Sequence, residues 1–526
     1  MPRRRREVSA AAADRHPPVS RALWNGAAIA LLSTGLAFGL YWFTAASGLT
    51  WAHDGADGGD LLAAALTGGV PHPSGYPLYT ALLQGWLRIG QALAPSAEAA
   101  RLGNLFSALA AALSAGVTAL VARYLIGPVP GRQAIALATA LLWTVSPLQW
   151  SQALITEVYA LHMLLAALLA WTVLTQPRRL LLVAVVMALG LANHLTFALL
   201  LPAAGYWLWR GSAHPRTAQP VALALVSGLS LLVLLYARIP VAAAGEGSPP
   251  PVNWGYADGW EGFWWLVSGA AYRGYLADLS GAGVAARIGG WAQTLTGQYT
   301  VVGLALAGLG LMLWDRRRPA LRTFGLLWAL PVSAYAVAYS TWDSRIYLLP
   351  ATWMLALWLG SGLSVLAAWL WDRRDGRALW AGYAPAVIAL VAVATLVATR
   401  LPEMSLRQDD EARAYLADVV ATLEPESIVV SGADAETFAL WYGAWGSGVL
   451  LEKAPGAMLV NYALYQFPWY GRLLGDLYPA TPGVSAGLDA LLAENDGRRP
   501  VYFTELLDVV PRETLSPAGP LWRYTP

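Results

Sequence analysis

Residues 51–79 read WAHDGADGGDLLAAALTGGVPHPSGYPLY and follow a long apolar segment. Only 13% of the chain is charged, so a dense group of ionisable side chains beside a bilayer is costly unless it serves a function. A solvated loop is the simpler interpretation, but solubility alone does not require acids that alternate with glycines. The stretch therefore predicts a functional site at a membrane surface. Its ionisable residues are His53, Asp54, Asp57, Asp60 and His72.

The composition around this stretch is that of a polytopic membrane protein. Of 526 residues, 57% are hydrophobic, and Trp (26) and Tyr (23) far outnumber Phe (9), which suits the aromatic belts of membrane interfaces. Cysteine is absent, which excludes disulfides, a thiol nucleophile and thiolate metal sites. The net charge of +2 and its distribution show no nucleic-acid footprint, so no nucleic-acid partner is expected.

The membrane segments begin directly after a basic N-terminus. Residues 1–22 include four consecutive arginines, and residues 23–46 are apolar. A signal peptide has the same order, but this apolar run is too long and lacks a convincing cleavage site, so we expect a retained anchor. About eleven transmembrane helices are predicted, of which the pair around His194 is short. The other apolar segments are 103–124, 133–150, 156–175, 180–193, 195–209, 219–239, 294–314, 323–341, 346–371 and 379–399.

Arginines predict the orientation of these helices. With Arg3, Arg4, Arg5 and Arg6 in the cytoplasm and an odd number of helices, all the arginine-rich loops fall on one side. The opposite loops (47–102, 147–156, 240–293 and 341–345) are acidic, aromatic or glycine-rich. We therefore expect an integral protein of the plasma membrane, or of the inner membrane in a bacterium, with the acidic stretch outside. The arginines of the cytoplasmic loops are Arg123, Arg132, Arg178, Arg179, Arg210, Arg216, Arg316, Arg317, Arg318, Arg373, Arg374 and Arg377.

Residues 401–526 form a separate unit in this prediction. The segments LEPESIVVSGAD and RRPVYFTEL each contain a short apolar strand, and a helix is expected near Leu488–Asn495. Alternating helices and strands predict a small α/β domain outside the cytoplasm. Asp434 follows the first strand, where it could line a site or cap a helix, and capping is the favoured interpretation. The predicted organisation is thus a basic N-terminus (1–22), a transmembrane domain (23–400) with the first outer loop at 47–102, and this α/β domain.

The sequence of the first outer loop predicts its local structure. Asp57 and Asp60 precede LLAAAL, so both acids lie at a helix N-terminus, where Asp60 could serve only as a cap. The prolines of PHPSGYP turn the chain back, and residues 78–93 form an amphipathic helix that suits the outer interface. The acids would then lie where an enzyme meets a lipid-borne substrate.

Other polar residues map to the same side of the membrane. Each has an ordinary explanation, such as an interfacial anchor, a buried hydrogen-bonded histidine, a helix-start acid or a local pair between Asp343 and Arg345. Their convergence on one face favours a common site. They occur in SPLQWSQALITEVYALH (Glu157, Tyr159, His162), GLANHLTF (Asn193, His194), NWGYADGWEGFWWLVSGAAYRGYL (Arg273) and YSTWDSRIYLLP (Asp343, Arg345).

These motifs resemble, in order and spacing, the family of transmembrane protein O-mannosyltransferases. DGGDLLAAALTGGVPHPSGYPLY looks like that family's first-loop signature, and the likeness spans about residues 30–350. Two positions depart from the usual pattern, since Asp60 replaces a glutamate and Ser74 replaces the second proline of the turn. The resemblance implies a polytopic glycosyltransferase of the C type (GT-C) that uses a polyprenyl-phosphate sugar.

The resemblance also implies roles for the site residues. Asp57 corresponds to the first-loop acid and would be the catalytic base that accepts the acceptor's proton, with Asp60 as its acidic follower and Asp54 as the fallback. Arg273 or Arg345 would stabilise the departing phosphate. The substrates that the resemblance implies are a polyprenyl-phosphate sugar, with mannose as the expected sugar, and a protein or glycan acceptor. The residues expected to bind substrate are His53, His72, Tyr76, Glu157, Tyr159, Asn193, His194, Arg273, Asp343 and Arg345.

Other functions remain open at this level. No cofactor is assigned, and a divalent metal is compatible with the carboxylates although no ligand spacing demands one. A transporter or lipid flippase would explain the broken helices, but it predicts internal repeats and mid-membrane charges, which the sequence lacks. If the chain were a non-catalytic assembly protein, replacement of Asp57 would leave its function unchanged. Transfer to a lipid or glycan is an alternative to the favoured protein acceptor.

Overall fold

The apolar segments fold as helices, because a helix satisfies its own backbone hydrogen bonds where no water is present. This is seen in a computed structural model that describes residues 19–210, 218–276, 281–317, 319–373 and 379–526. Among these residues, eight helices are long and apolar enough to cross a membrane. The predicted class, a polytopic α-helical protein with a small C-terminal α/β region, is confirmed.

The helices that precede the sheet include long bundle helices and shorter pieces that connect them at the two ends. In chain order they are α1 (Val19–Thr44), α2 (Gly58–Thr67), α3 (Pro77–Leu93), α4 (Ala99–Leu125), α5 (Arg132–Thr144), α6 (Pro147–Gln152), α7 (Val158–Thr175), α8 (Leu180–Asn193), α9 (Leu201–Arg210), α10 (Ala218–Tyr236), α11 (Arg238–Ala244), α12 (Trp260–Val267), α13 (Gly281–Arg317), α14 (Pro319–Ala338), α15 (Leu349–Asp372) and α16 (Leu379–Met404).

Two predicted spans are broken. The segment 133–150 divides into α5 and α6, because the chain leaves the helix at Val145 and restarts with Pro147 as the first residue of α6. The pair around His194 is also broken, since α8 ends there in an extended residue and a 3₁₀ turn, Leu195–Leu200, leads into α9. Both breaks lie at the end of the bundle that carries the first outer loop, so they bring polar backbone and side chains to that end.

The opposite end of the bundle carries arginines. The Arg132 Nε donates to the carbonyl oxygen of Arg123 at 2.8 Å, and the start of α1 at Gly26 lies beside the Arg123 guanidinium. The bundle therefore has one arginine-bearing end and one end that carries the first outer loop. Several arginines used for the orientation lie outside the described residues, namely Arg3, Arg4, Arg5, Arg6, Arg216, Arg318, Arg374 and Arg377.

The C-terminal region is a five-stranded sheet with helices. Its strands pair in the order β2-β1-β3-β5-β4, where β2, β1 and β3 are parallel and β5 and β4 are antiparallel. The predicted strands correspond to β1 and β3, and the helix at Leu488–Asn495 is present; the sequence prediction missed β2 and the final hairpin. The elements are α17 (Glu411–Thr422), β1 (Ile428–Ser431), α18 (Asp434–Trp441), α19 (Val449–Lys453), β2 (Met458–Asn461), α20 (Pro468–Leu477), α21 (Leu488–Asn495), β3 (Val501–Phe503), β4 (Leu515–Ala518) and β5 (Leu521–Tyr524).

The outer loops and the sheet region share one hydrophobic core. Ala63 and Ala64 of α2, together with Trp254 and Leu266 of the long loop after α11, are buried in the same cluster as strand β1. Burial of this shared apolar surface removes it from water and holds the elements together. The first outer loop is thus fixed between the helix bundle below and the C-terminal region above.

Candidate functional site

The first outer loop folds back on itself at its acids. A 3₁₀ turn (Ala52–Asp54) leads to Asp57, and α2 begins at the next residue and ends where Gly68 adopts a left-handed conformation with φ of 72°. The chain then reverses through the proline-rich turn before α3. This reversal returns His72 to the start of α2, beside the acids.

Asp60 is fully buried, and both oxygens of its carboxylate accept hydrogen bonds. One of its carboxylate oxygens accepts from the backbone N–H of His72 at 2.9 Å and from the His72 Nδ1 at 2.7 Å. The other oxygen accepts from the Trp254 Nε1 at 3.0 Å. The interpretation of Asp60 as a helix cap is therefore wrong, because its hydrogen bonds fix a histidine and a distant tryptophan instead.

His72 carries a positive charge in this setting. Its Nε2 lies 3.0 Å from the Tyr76 hydroxyl, which itself donates to the Pro73 carbonyl oxygen at 2.9 Å, so the tyrosine oxygen accepts from Nε2–H. Both ring nitrogens are then protonated. Burial alone would lower the pKa of His72, but the charge of Asp57 and the hydrogen bond and charge of Asp60 raise it to about 10.

Asp57 is the acid that faces open space. Its Oδ2 lies 3.5 Å from the Nε2 of His72, and 40% of its side chain is exposed. No hydrogen bond from the described residues reaches its carboxylate. The surrounding protein removes water from around the carboxylate, and this partial burial raises the pKa of Asp57 to about 6. The positive charge of His72 acts in the opposite direction. Asp57 therefore combines accessibility with a proton affinity suited to a base near neutral pH.

Asp54 pairs with an arginine that is distant in sequence. The Arg345 Nη2 lies 2.8 and 3.0 Å from the two Asp54 oxygens, and 47% of the Arg345 side chain is exposed. The alternative interpretation, a local pair between Asp343 and Arg345, does not describe this contact, because Arg345 pairs with Asp54. Burial raises the pKa of Asp54, and the Arg345 charge opposes the shift. Because Arg345 already binds its carboxylate, Asp54 is less suited than Asp57 to accept a proton.

A cavity of about 800 Å³ opens beside this ion pair. His53, Asp54 and Arg345 line it at the outer end, and α13 contributes a wall that includes Trp291. Asp57 is not among its lining residues, but it is only three positions from Asp54 in the same loop. The cavity thus connects a membrane-embedded helix with the ionisable residues of the first outer loop.

Aromatic rings line the side of the site that faces the bundle. The His194 ring lies 5.6 Å from Tyr76 in a stacked arrangement, 5.5 Å from Tyr159 and 5.8 Å from His162. Tyr347 adds a further ring, 6.0 Å from His194. The sequence prediction that these residues share one site agrees with this packing.

The remaining predicted residues lie at different distances from Asp57. Glu157 is buried and caps α7, where its Oε2 accepts from the next backbone N–H at 2.9 Å, and Asn193 donates to the Val158 carbonyl oxygen. Burial is the largest cause of the raised pKa of Asp57, and the charge of Asp343 adds to it. Arg273 instead donates to the Ser268 hydroxyl at 2.7 Å, and no described contact joins it to the acids.

Sequence reasoning missed two contributors to the site. Trp254 lies in the NWGYADGW motif, yet its hydrogen bond to Asp60 crosses 194 positions and is visible only in the fold. Phe438 of α18 stacks on His72, with ring centroids 6.4 Å apart and planes at 16°.

The prediction that Asp434 caps a helix is wrong, because Ala433 is the N-cap residue of α18 and Asp434 lies in the first turn. Within the described residues, no group of three or more metal-ligating side chains is suitably arranged for a metal ion.

Comparisons with solved structures identify the fold. The apo structure of ArnT from Cupriavidus metallidurans aligns at 13% identity and a TM-score of 0.54, covering 94% of this chain and 96% of that one. The apo oligosaccharyltransferase of Archaeoglobus fulgidus aligns at 12% identity and a TM-score of 0.50, covering 91% and 69%. A second ArnT structure, bound to undecaprenyl phosphate, aligns at 15% identity and a TM-score of 0.48, covering 85% and 91%. Comparison with curated proteins gave no match.

This chain therefore shares the fold of ArnT and of the oligosaccharyltransferase, which are glycosyltransferases of the GT-C type. Residues 57–216 match the family model described as the protein O-mannosyl-transferase TMEM260 N-terminal domain. The matched segment begins at Asp57 and includes the first-loop helix, the His72 turn and the broken helix at His194. The resemblance to transmembrane O-mannosyltransferases drawn from the sequence is thereby confirmed.

Proposed function

We propose that this protein transfers a sugar, mannose in the first instance, from a polyprenyl-phosphate donor to a hydroxyl group of a protein acceptor on the outer face of the membrane. The observation that carries the proposal is the pair formed by Asp57 and His72. An accessible carboxylate with a raised pKa lies 3.5 Å from a buried cationic histidine, which a second, fully buried carboxylate holds in place. The family match supports the choice of sugar and of acceptor.

The reaction is a single displacement at the anomeric carbon. Asp57 accepts the proton of the acceptor hydroxyl while the hydroxyl oxygen forms a bond to that carbon. The bond between the carbon and the phosphate oxygen breaks, and the electron pair leaves with the polyprenyl phosphate. Because attack and departure occur on opposite faces, the sugar configuration inverts. The developing positive charge on the sugar is stabilised by the nearby carboxylate, as in glycoside hydrolysis.

Arg345 is the cation that we assign to the departing phosphate. It lines the cavity of about 800 Å³ and remains 47% exposed although it is bound to Asp54. A phosphate at this position gains charge as the bond breaks, and an arginine provides strong charge-assisted hydrogen bonds to it. The wall that α13 contributes is mixed in character, with Trp291 beside polar side chains such as Gln293 and Thr294. Arg273, the other cation expected from the sequence, is assigned no role because its contact is with Ser268.

The orientation that goes with this function is also a proposal. The arginine-bearing end of the bundle faces the cytoplasm, and the first outer loop and residues 401–526 lie outside, in the plasma membrane or in a bacterial inner membrane. The positive-inside rule supports this arrangement. A lipid-linked donor then delivers its sugar on the side where the acids lie.

Replacement of Asp57 tests the proposed function. We expect Asp57→Asn to reduce transfer from radiolabelled polyprenyl-phosphate mannose in membranes by about 10²- to 10⁴-fold, because the general base is lost. Asp258→Asn is the matched control, since Asp258 is an exposed acid of another outer loop. Equal transfer by wild type and Asp57→Asn would reject Asp57 as the base, and no transfer by either protein would reject mannose as the sugar or return a transporter to consideration.

A further inference from the structure

The C-terminal region supplies one wall of the site. The Trp51 Nε1 of the first outer loop donates to the Ala435 carbonyl oxygen at 3.1 Å. At Gly59, the second residue of α2, an added Cβ would overlap the Phe438 carbonyl oxygen, so the two backbones are in direct contact. The first turn of α18 is therefore fixed against the loop that carries Asp57.

The geometry of α18 directs Asp434 toward the site. Asp434 and Phe438 are four residues apart and share one face of the helix, and the Phe438 ring lies parallel to that of His72. Asp434 nevertheless keeps part of its surface exposed, so it borders open space. The charge of Asp434 raises the pKa of Asp57, which agrees with two carboxylates that face the same recess.

Asp434 lies in the first turn of α18, where a carboxylate stabilises the helix dipole, but its carboxylate has no specific partner among the described residues. It is not the N-cap of α18, and none of the hydrogen bonds or ion pairs among the described residues involves its carboxylate. Burial and the charge of Asp60 raise the pKa of Asp434, so its ionised form is disfavoured in the absence of a partner, although His72 partly compensates. A carboxylate held in this way gains most from a ligand that brings a positive charge or N–H groups.

Two further acids lie around the same turn. An oxygen of Glu505, which follows β3, lies against Gly432, and the Glu436 Oε2 is a buried atom without a hydrogen-bond partner among the described residues. Both acids lie beyond the carboxyl ends of the adjacent parallel strands β1 and β3. Ligands of open α/β sheets bind at this edge, where the connections from neighbouring strands diverge.

We propose that Asp434 is an acceptor-binding residue that selects polypeptide segments with a basic side chain near the hydroxyl to be glycosylated. Its carboxylate receives the ammonium or guanidinium group of the acceptor, and the adjacent Ser or Thr hydroxyl then lies over Asp57. The negative charges of Glu436 and Glu505 favour the same acceptors and repel acidic ones. This inference rests on the proposed function and adds the chemical class of the acceptor to it.

The test uses full-length protein in membranes, polyprenyl-phosphate mannose, and three synthetic peptides. The peptides contain one Ser or Thr and differ only in whether Lys, Gln or Glu flanks it. We expect wild type to have the lowest KM for the Lys peptide. We expect Asp434→Asn to raise that KM about tenfold with kcat within twofold, and Asp434→Lys to make the Glu peptide the best acceptor. Asp434→Glu should retain the preference for lysine.

The controls separate this inference from the proposed function. Asp418→Asn is the matched control, because Asp418 is an exposed acid on α17, toward the helix end that precedes β1 and thus at the opposite edge of the sheet. Thermal unfolding midpoints establish that each variant is folded. Loss of donor consumption in Asp57→Asn supports the proposed function regardless of the peptide result. If that loss occurs while Asp434→Asn leaves KM unchanged, or if wild type uses the peptides without preferring lysine, the role of Asp434 is overturned alone. If wild type uses none of the peptides, the polypeptide acceptor of the proposed function is rejected together with the role of Asp434.

Discussion

At the scale of single residues, the environment separates two aspartates that look equivalent in the sequence. Asp57 and Asp60 are three positions apart, but Asp60 is buried under three hydrogen bonds and Asp57 is exposed. His72 lies between them and interacts with both. A carboxylate whose lone pairs are already occupied is a poor proton acceptor, so the chemistry falls to the one that faces solvent. The buried acid orients the histidine, and the charge of that histidine tunes the exposed acid.

The acid limb of the pH profile should report this arrangement. Transfer requires ionised Asp57, and the pKa of Asp57 is raised to about 6, so kcat/KM should fall about tenfold per pH unit below pH 6. His72→Gln removes the charge that lowers the pKa of Asp57, so the limb should move to higher pH. The measurement is kcat/KM for transfer between pH 4.5 and 8. A limb that stays in place in His72→Gln would contradict the coupling.

The sequence alone predicted these residues incompletely. The acids of the first loop, the histidine of the turn and the broken helix at His194 were identified from local patterns, because helix starts, prolines and glycines leave local signals. The partners of these residues left no such signal. Arg345 pairs with Asp54 across 291 positions and Trp254 with Asp60 across 194, and such contacts depend on how the helices pack in three dimensions.

At the scale of elements, α2 is the piece on which the site depends. It is short, almost entirely buried, and lies between the bundle and α18. The close approach of α2 to α18 requires a residue without a side chain at Gly59. The helix is therefore positioned by its neighbours rather than by its own length, since ten residues are too few for independent stability.

Substitution of Gly59 should increase the distance between α2 and α18. Gly59→Ala places a methyl group against the Phe438 carbonyl oxygen, and we expect a lower thermal unfolding midpoint together with reduced transfer. Gly85→Ala is the matched control, because Gly85 lies inside α3 with no atom near an added Cβ. There, alanine should be neutral or should stabilise by about 0.5–1 kcal/mol. Equal effects of the two substitutions would show that contact between α2 and α18 is unimportant.

At the scale of the whole molecule, the bundle has two chemically different ends. Arg123 and Arg132 mark one end, and the acids, broken helices and sheet region occupy the other. The alternation of short arginine loops made the course of the helices predictable from sequence, because the positive-inside rule acts on each loop separately. The sheet region was predicted only in outline, since all five strands have only three or four residues, which is too few to give a clear period-two pattern.

Single introduced cysteines should reveal the orientation, because the natural chain contains none. Gly127→Cys lies at the arginine-bearing end and Ala486→Cys lies on the exposed surface of the C-terminal region. In intact cells, a membrane-impermeant maleimide should label Ala486→Cys and leave Gly127→Cys unlabelled until the membrane is permeabilised. The cysteine-free parent is the background control. Labelling with the reverse pattern would place the site on the cytoplasmic side.

The contact between α2 and α18 can form only late in biosynthesis. The ribosome makes Asp57 and His72 early, before most of the membrane helices exist, whereas the α18 turn that closes over them emerges only after the final helix. A chain that stops before α18 lacks Phe438 and Asp434 beside His72. The wall that α18 forms is therefore the last part of the site to be made.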